Sequence, residues 1–596
     1  MAKNVFELVE EEKAAYKTTY VPIADGYTWN MYEHIRRSTL YRDSKFTEGE
    51  NDGSRPFKNI VRRIAGLQHY ATGFDVKDIE PFVKNPDYYY KSLLVRKRHP
   101  SWAREKNLDT FIDETVESYV DFGLALSKHS SGTPENVPLA SIAFCDQTDV
   151  LSGPICLRHE YSPAQLKKFD GKWKNIDEVI TLARKEKTDP TGKVVKTPGK
   201  FIEVYELDGY FPNSWLKDDD AILTEEDESN YSLQFHVLTF YRDEKGNSKG
   251  IHLFKGKGDP KKYKAIKRDP VWGRACGFGG IEELFEAQVW TNYDAIRIQN
   301  MLDTASKIIG LTNDPALATR NKISDMENGE WVTIADGKMA QQLNLQPVNL
   351  TAFENASERW EKHAQGIGGA NDALLGESPT AGTPFKLQEL VTQAGKGPHE
   401  YRKGKMATYF AEIYRDWIIE DLAKELSNEQ TFMETLSLEE LQDVADRISN
   451  NRWFNFAKEK ILSGTPIERG EEEAFKQKMR DSVMRGGTKA FFQLVKDELK
   501  GLPIDVEVNV AGKQKNLALM ADKLTNIFRT VFANPQGFVQ TLQIPGMEGV
   551  FNELLESSGL PQINIGAMKQ ENLSSVLSTP QTPGQTAQAQ TLQVAA

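Results

Sequence analysis

The sequence predicts a mixed α+β chain in which helices dominate, and three observations support this class. Apolar residues recur at spacings of three and four through 281–309, and the segment from Lys386 onward has a second long helical pattern. Two apolar, aromatic-rich runs flank a polar turn with two glycines in 233–256, which is typical of a β-hairpin. Short apolar runs in 137–163 predict two further buried strands.

Composition is that of a soluble globular protein large enough for several domains. The chain has 596 residues, of which 39% are hydrophobic and 27% charged. No apolar run approaches the roughly 18 residues that cross a bilayer, and the start of the chain lacks a signal-peptide hydrophobic core. We therefore expect a cytosol-like compartment and no membrane.

The cysteines and the net charge exclude further classes of protein. Cys145, Cys156 and Cys276 are odd in number and lack a CxxC spacing, which predicts buried thiols and neither disulfides nor a zinc site. The formal net charge of -12 argues against a protein that wraps nucleic acid by neutralising phosphates. It leaves open a surface past which DNA slides without sticking.

The first half of the chain reads as alternating helices and strands. An amphipathic segment lies at 57–70, and apolar residues near helical spacing from Phe111 to Leu124 predict a helix over 108–128. After the strands of 137–163, the segments 164–169 and 176–187 have helical patterns. The basic run KKYKAIKR at 261–268 is predicted to be a solvated loop, which contacts DNA only if the fold places it there.

The middle of the chain has an unusual order of elements. The predicted helix 281–309 is followed by Gly310, which is positioned to end it. Its apolar stripe is narrow, and its polar and aromatic positions suit packing between neighbouring chains. These positions are Gln288, Trp290, Asn292, Tyr293, Arg297 and Gln299. A compact insert with strand-like segments 331–338 and 343–350 comes next, and a second helix follows it.

The stretch DALLGESPTAGTPFKLQELVTQAGKG at 372–397 resembles a phosphate-binding loop only superficially. It lacks the glycine spacing and the Gly-Lys-Ser/Thr ending of such loops, and Pro379 and Pro384 each remove a backbone donor. An ordinary loop into a long helix is the better interpretation. We predict that the helix bends near Gly395, Gly397 and Pro398, because proline removes a backbone donor and clashes with the preceding turn.

Catalytic and metal-binding readings find little support in the sequence. The nine histidines are scattered without an HExxH or HxH pattern, and we expect His159 and His236 to be structural or exposed. GFGG at 277–280 is explained as a helix-entry turn, and the acidic run 217–228 as a solvated outer loop without calcium-ligand spacing. We predict no enzymatic activity and no cofactor.

The last third is predicted to be mainly helical. Apolar residues alternate in 502–510 as in a half-buried strand, and one face of 516–532 is apolar at helical spacing. From about Gly566 the composition falls to Gln, Thr, Pro, Ser and Ala, which predicts a flexible tail.

Three stretches give the chain a resemblance to a known family. They are IAFCDQTDVLSGPICLRHEYSPAQL at 142–166, GFGGIEELFEAQVWTNYDAIRIQNMLDTASK at 277–307, and LLGESPTAGTPFKLQELVTQAGKG at 374–397. The chain resembles the portal proteins of tailed bacteriophages, most of all those of crAss-like phages, over most of 60–535. None of the three stretches is a catalytic signature.

The resemblance implies a portal-like architecture with wing, stem, clip, tunnel loop and a crown-like helical C-terminal region. In that family the subunits form a dodecameric ring at one capsid vertex. The domains carried over are 1–280 as the wing region, 281–309 and 353–368 as the stem helices, 310–352 as the clip, 369–385 as the tunnel loop, 386–430 as the kinked wing helix, 431–565 as the helical C-terminal region and 566–596 as the tail.

The resemblance also implies partners and candidate site residues. The partners are double-stranded DNA in the channel, the terminase, a tail adaptor and the major capsid protein, with assembly in the host cytoplasm and a final place in the virion. Clip contacts fall on Trp331, Asp336 and Lys338. The tunnel-loop residues facing DNA are Gly376, Glu377, Ser378, Pro379, Thr380, Ala381, Gly382, Thr383 and Lys386.

Small residues and acidic balance are physically suited to such a channel. A loop beside moving DNA needs low bulk and a permissive backbone, and a lining that bound phosphates tightly would stall translocation. A solvated position is about equally consistent with Lys386, and Lys396 is a second candidate for phosphate contact. Two alternatives remain open at this stage: another ring-forming adaptor or scaffold component of a virion, and a nucleic-acid-processing enzyme.

Overall fold

The fold was analysed in a computed structural model of the full chain. The structure describes residues 4–48, 55–82, 89–130, 132–184, 187–188, 194–195, 201–217, 224–242, 248–306, 309–313, 336, 340–343, 350–370, 385–426, 438–464, 466, 470–478, 505–508 and 529. It divides into two units. Residues 1–82 and 90–510 form the first, and residues 83–89 and 511–596 form the second, in which Tyr89 and Arg529 are described.

The described residues form a mixed structure of helices and sheets in which helices dominate, as the sequence predicts. Its helices are α1 Val5–Thr18, α2 Met31–Arg42, α3 Val61–Thr72, α4 Tyr89–Glu105, α5 Leu108–Phe122, α6 Pro163–Lys167, α7 Ile176–Arg184, α8 Glu225–Ser229, α9 Gly280–Ser306, α10 Leu350–Ile367, α11 Phe385–Ile413, α12 Ile419–Leu426 and α13 Leu438–Leu462. A π-helical turn, Tyr414–Ile418, joins α11 to α12.

The strands form one larger sheet and several small ones. They are β1 Val21–Ala24, β2 Tyr27–Trp29, β3 Ile79–Phe82, β4 Leu124–Ser130, β5 Thr133–Asn136, β6 Ile142–Phe144, β7 Ile155–Tyr161, β8 Lys187–Thr188, β9 Val194–Val195, β10 Ile202–Pro212, β11 Tyr231–Arg242, β12 Ser248–Lys257, β13 Tyr263–Lys267, β14 Ile309–Thr312, β15 Ala340–Leu343 and β16 Asp505–Val508.

The larger sheet has the order β12-β11-β10-β7-β6, with every neighbouring pair antiparallel. The hairpin predicted over 233–256 is its β11–β12 pair, and the predicted strands of 137–163 are β6 and β7. Because side chains alternate along β10, Val204 lies in one hydrophobic core and Tyr205 in another on the opposite face. Helices α1 and α2 contribute to the core that contains Tyr205, and α7 contributes to the core that contains Val204.

One helix ends earlier than predicted because of a glycine. Helix α5 ends at Phe122, and not at Lys128, because Gly123 takes a left-handed conformation with φ 76°. The chain then continues as β4, so that Leu124 is a strand residue with a fully buried side chain. The apolar residues keep helical spacing as far as Leu124, one residue beyond the glycine that ends the helix, so the spacing alone predicted too long a helix.

A three-stranded sheet, β13-β4-β5, corrects the prediction for 261–268. Residues 263–267 form a strand paired with β4, and do not form a loop. Two lysines of the basic run 261–268 form ion pairs within the chain: Lys262 with Asp208 at 2.7 Å and Lys264 with Asp416 at 2.6 Å. This run is thus a site of internal ion pairs.

The C-terminal strand of the first unit lies far from its partner in sequence. β16 confirms the strand predicted over 502–510, and it pairs antiparallel with β3, from Asp505 opposite Phe82 to Val508 opposite Ile79. The helix predicted over 516–532 and the tail from Gly566 lie outside the described residues, apart from Arg529.

Candidate functional site

Among the helices that the structure describes, α9 and α10 have the most extensive contact with each other. They run antiparallel: Trp290 of α9 stacks on Trp360 of α10 with ring centroids 6.2 Å apart, and Arg297 lies over the Phe353 ring at 5.9 Å. The 27 residues of α9 span about 40 Å at ~1.5 Å per residue. The pair corresponds to the two long helices predicted on either side of an insert.

The bounds of the pair differ from those predicted. Helix α9 ends at Ser306, and Gly310, which was expected to end it, is the second residue of β14. Gly310 pairs with Gln342 of β15 in an antiparallel ladder. The second helix begins at Leu350, three residues before the predicted 353–368, and β15 ends at Leu343. Residues 344–349 of the expected strand lie outside the described residues.

One end of the helix pair lies in a hydrophobic core. Ile281, Leu284 and Ala287 of α9 pack with Ala364 of α10 and Ile64 of α3. All five side chains are at most 3% exposed. The N-terminal end of α9 and the C-terminal end of α10 are therefore anchored, and the opposite ends lead into the insert.

The entry to α9 depends on close backbone contact. A Cβ on Gly277 would lie 1.6 Å from the Arg268 carbonyl oxygen, and one on Gly279 would lie 2.4 Å from the Asp121 carbonyl oxygen. Side chains at these positions are sterically excluded. GFGG at 277–280 is thus a helix-entry turn, as predicted, held against the end of α5.

A buried ionic network fixes the first turn of α9 to α11. Glu283 accepts from Arg268 at 2.9 Å and from Arg402 at 3.1 Å, and Arg402 also donates to Asp269 at 2.6 Å. The Arg268 side chain is 1% exposed. Burial lowers the pKa of Arg268, while the charge of Glu283 opposes this shift. Since each carboxylate has an arginine partner, the network ties two helices together without an unpaired buried charge.

Two polar residues of α9 have a structural role that the sequence did not reveal. The Gln288 side-chain oxygen accepts from the backbone N–H of Ile60 at 2.8 Å and of Val61 at 3.2 Å. Asn292 accepts from the Lys58 backbone N–H at 3.1 Å. These contacts satisfy donors at the start of α3. Gln288 and Asn292 are 0% and 2% exposed, so they do not form an outer face of the helix.

The other positions singled out on α9 lie at its surface. Trp290 is 40% exposed and Tyr293 52%. Arg297 is exposed on its side-chain atoms and pairs with Asp294 at 3.5 Å. Gln299 donates to Asp303 at 3.0 Å on the exposed surface. In a single chain the pair therefore keeps an outer face with two large aromatic side chains.

The residues predicted to contact DNA or the clip's partners lie mostly outside the described part of the chain. Residues 376–383 lie outside the described residues, as do Trp331 and Lys338. Asp336 is an exposed turn residue, and Lys386 is in the first turn of α11, where its side chain is not described. Their proposed roles remain predictions.

A long helix runs from Phe385 through Ile413, and the loop predicted before it lies outside the described residues. Gly395, Gly397 and Pro398 all lie within it, and the helix is continuous across Pro398. The bend at these residues remains a prediction. The π-helical turn that follows was not foreseen, and here Trp417 donates its indole N–H to the Lys261 carbonyl at 2.8 Å. Such turns are frequent at functional sites and helix distortions.

The three cysteines are buried, and so is one of the two histidines considered in the sequence. Cys145, Cys156 and Cys276 are free and buried, as predicted, and burial raises the pKa of each thiol. His236 lies buried in β11, and burial lowers its pKa to about 4. His159 instead lies 3.4 Å from Glu206.

The described part of the chain holds no group of three or more His, Cys, Asp or Glu side chains arranged to bind a metal ion. Among the helices that the structure describes, none is long and apolar enough to cross a membrane.

Comparisons with known proteins were made for the whole chain. No protein-family model matches it, and neither does any curated protein. Among solved structures, a chain described as "Virion of native gene transfer agent (GTA) particle" is similar, with a TM-score of 0.33 and 10% sequence identity over 93% of this chain and 100% of that chain. At this level of similarity neither a shared fold nor a shared function follows.

Proposed function

We propose that the chain is a structural portal protein. Copies of it assemble into a ring, with twelve subunits as the family resemblance implies, and the ring forms the channel for DNA packaging and ejection at one capsid vertex. The terminase and a tail adaptor dock on the insert between α9 and α10, and the major capsid protein surrounds the ring. The subunit has no catalytic role, and a separate ATPase supplies the packaging energy.

The observation that carries this proposal is the antiparallel pair of α9 and α10. Its anchored end is held by a hydrophobic core and by the Arg268–Glu283–Arg402 network. Its outer face presents Trp290 and Tyr293. An anchored helix pair with exposed aromatic side chains is suited to pack against a copy of itself, since aromatic residues are enriched at interfaces.

Charge on the second helix is consistent with a channel that does not retain DNA. The exposed side chains of α10 carry both signs, with Glu354 and Glu358 negative and Arg359 and Lys362 positive. Tight phosphate binding rests on clusters of Lys and Arg. A surface of mixed sign attracts a duplex weakly, so it opposes translocation little.

The test compares assembly of the purified full-length chain with that of two matched variants. Tyr293→Glu places a charge on the outer face of α9, and Tyr210→Glu places the same charge on a tyrosine of β10 that is 68% exposed. The proposal expects rings with a central hole in negative-stain images for the unmodified chain and Tyr210→Glu, and their loss for Tyr293→Glu. If neither variant nor the unmodified chain forms rings, or if both variants assemble equally, the proposal is wrong.

A further inference from the structure

A cavity lies beside the anchored end of α9, outside the outer face of the helix pair. Its volume is about 260 Å³, which is smaller than the roughly 300–1,000 Å³ of pockets for drug-sized ligands. It therefore suits one side chain better than a cofactor. The residues that line it come from the β1–β2 hairpin, α2 and the first turns of α9. They include Tyr20, Tyr27, Trp29, His34, Arg37 and Phe285.

The walls combine aromatic rings with partly exposed polar edges. Tyr20 is 51% exposed and Tyr27 39% exposed, so both rings are accessible from solvent. The Tyr27 hydroxyl accepts from Arg274 at 2.9 Å, which fixes the orientation of that ring. Aromatic walls of this kind bind an apolar or aromatic side chain through burial and ring contacts.

The acidic side chains that line the pocket form ion pairs within the chain. Both carboxylate oxygens of Glu282 accept from Arg274, at 2.9 and 2.8 Å, and the Arg274 side chain is 0% exposed. Glu33 pairs with Arg36 at 3.2 Å. Both acidic groups of the lining therefore already have arginine partners.

The one lining arginine differs from these acidic groups. Arg37 is exposed and lies over the Phe285 ring at 5.1 Å, and no carboxylate of the described residues forms an ion pair with it. His34 adds no charge at neutral pH, because burial lowers its pKa although Glu282 opposes the shift. The pocket thus offers one uncompensated cation beside aromatic walls.

We propose that this pocket binds an acidic peptide segment of a partner protein. One aromatic or aliphatic side chain of the segment enters between Tyr20, Tyr27 and Phe285, and a neighbouring carboxylate pairs with the Arg37 guanidinium. Arginine is suited to this role because its planar fork matches a carboxylate and stacks on an aromatic ring at the same time. The proposal does not depend on whether the chain forms a ring.

Fluorescence anisotropy with defined peptides on the full-length chain tests the proposal. The probe is a fluorescein-labelled, end-blocked peptide of two aspartates, one phenylalanine and two glutamates. One comparison peptide has serine in place of phenylalanine, and another has four lysines in place of the acids. We expect the acidic phenylalanine peptide to bind best, with about tenfold weaker binding for the serine form.

Two variants distinguish binding in the pocket from general electrostatic attraction of the peptide to the protein. Arg37→Glu is expected to weaken binding of the probe about tenfold or more, because it reverses the cation that meets the carboxylate. Arg63→Glu makes the same charge change on an exposed arginine of α3 outside the lining, and it should change binding less than about twofold. Equal thermal unfolding midpoints for the two variants establish that both are folded.

Three results would overturn the proposal. They are tighter binding of the lysine peptide, equal losses in Arg37→Glu and Arg63→Glu, and no measurable binding of the acidic phenylalanine peptide at millimolar concentration. The first would assign the pocket to a basic segment, and the second would reduce the attraction to net charge.

Discussion

Removing Lys262 tests the buried ion pair between the residue that precedes β13 and Asp208 of β10. Its ammonium lies 2.7 Å from the Asp208 carboxylate and 3.5 Å from the centre of the Phe235 ring, and the two charged side chains are 12% and 8% exposed. Burial raises the pKa of Asp208 and lowers that of Lys262, and in each case the partner's charge opposes the shift. Lys262→Met therefore leaves Asp208 buried with the Tyr263 hydroxyl as its remaining donor, at 2.7 Å.

The expected cost follows from the burial of both partners. Breaking a buried pair by removing one member costs about 3–5 kcal/mol, because the other charge stays desolvated. The Tyr263 hydrogen bond retains part of the stabilisation, so we expect a loss of about 3 kcal/mol in the free energy of unfolding. Replacing both members, in Lys262→Met with Asp208→Asn, removes the uncompensated charge and should cost about 1–2 kcal/mol less than the single change.

The assay is urea unfolding followed by circular dichroism. Lys261→Met is the matched control, because Lys261 is adjacent in sequence, its side chain is 64% exposed, and its nearest carboxylate, that of Glu420, is 3.8 Å away. Its loss should cost less than about 1 kcal/mol. The reasoning is refuted if Lys261→Met and Lys262→Met are equally destabilised, or if the double variant is no more stable than Lys262→Met.

Three further predictions concern stability. Burial lowers the pKa of His236 to about 4, below the ordinary value of about 6.5, so the stability due to its neutral form is complete above pH 6.5 and falls as the pH approaches 4. Between pH 7 and pH 5, the free energy of unfolding of the unmodified chain should fall by up to about 2 kcal/mol more than that of His236→Gln. Urea unfolding at each pH measures the two losses, and equal losses would contradict this prediction. Gly277→Ala should lower the free energy of unfolding by more than about 2 kcal/mol, because its Cβ would lie 1.6 Å from the Arg268 carbonyl oxygen, and an unchanged urea midpoint would disprove the clash. Gly404→Ala in α11 should raise it by about 0.5–1 kcal/mol, because a Cβ at this position meets no atom within 4 Å outside its own helix backbone and chain neighbours, and a destabilised variant in the same assay would contradict this.

Local patterns predicted the elements whose causes are local. The β11–β12 hairpin follows from alternation on both sides of a polar, glycine-containing turn, and α9 follows from its three-and-four spacing. Gly123 shows the limit of periodicity, because a left-handed cap ends α5 where the apolar spacing continues.

Elements that depend on distant partners were missed or misassigned. Residues 263–267 became a strand because β4, more than a hundred positions earlier, supplies the pairing. Lys262 and Lys264 pair with carboxylates from β10 and the π-helical turn, respectively. Gln288 was read as an outer residue of α9, although it caps the start of α3. Sequence spacing identifies a polar position on a helix, and only tertiary contact decides whether it faces solvent or a buried backbone donor.

The candidate site was predicted only in outline. The described residues show α9 and α10 in the predicted order, with the paired strands β14 and β15 between them in sequence. The arginine and carboxylate network at Glu283 was not foreseen, because its members lie at 268, 269, 283 and 402. Nothing in the spacing of such residues indicates that they meet.

Cryo-electron microscopy of the purified full-length chain measures the arrangement of α9 and α10 most directly. The portal assignment predicts closed rings in which these paired helices of successive copies stand side by side around a central hole wide enough for a DNA duplex. Single chains, or assemblies in which Trp290 and Tyr293 face solvent and contact no other copy, would contradict it.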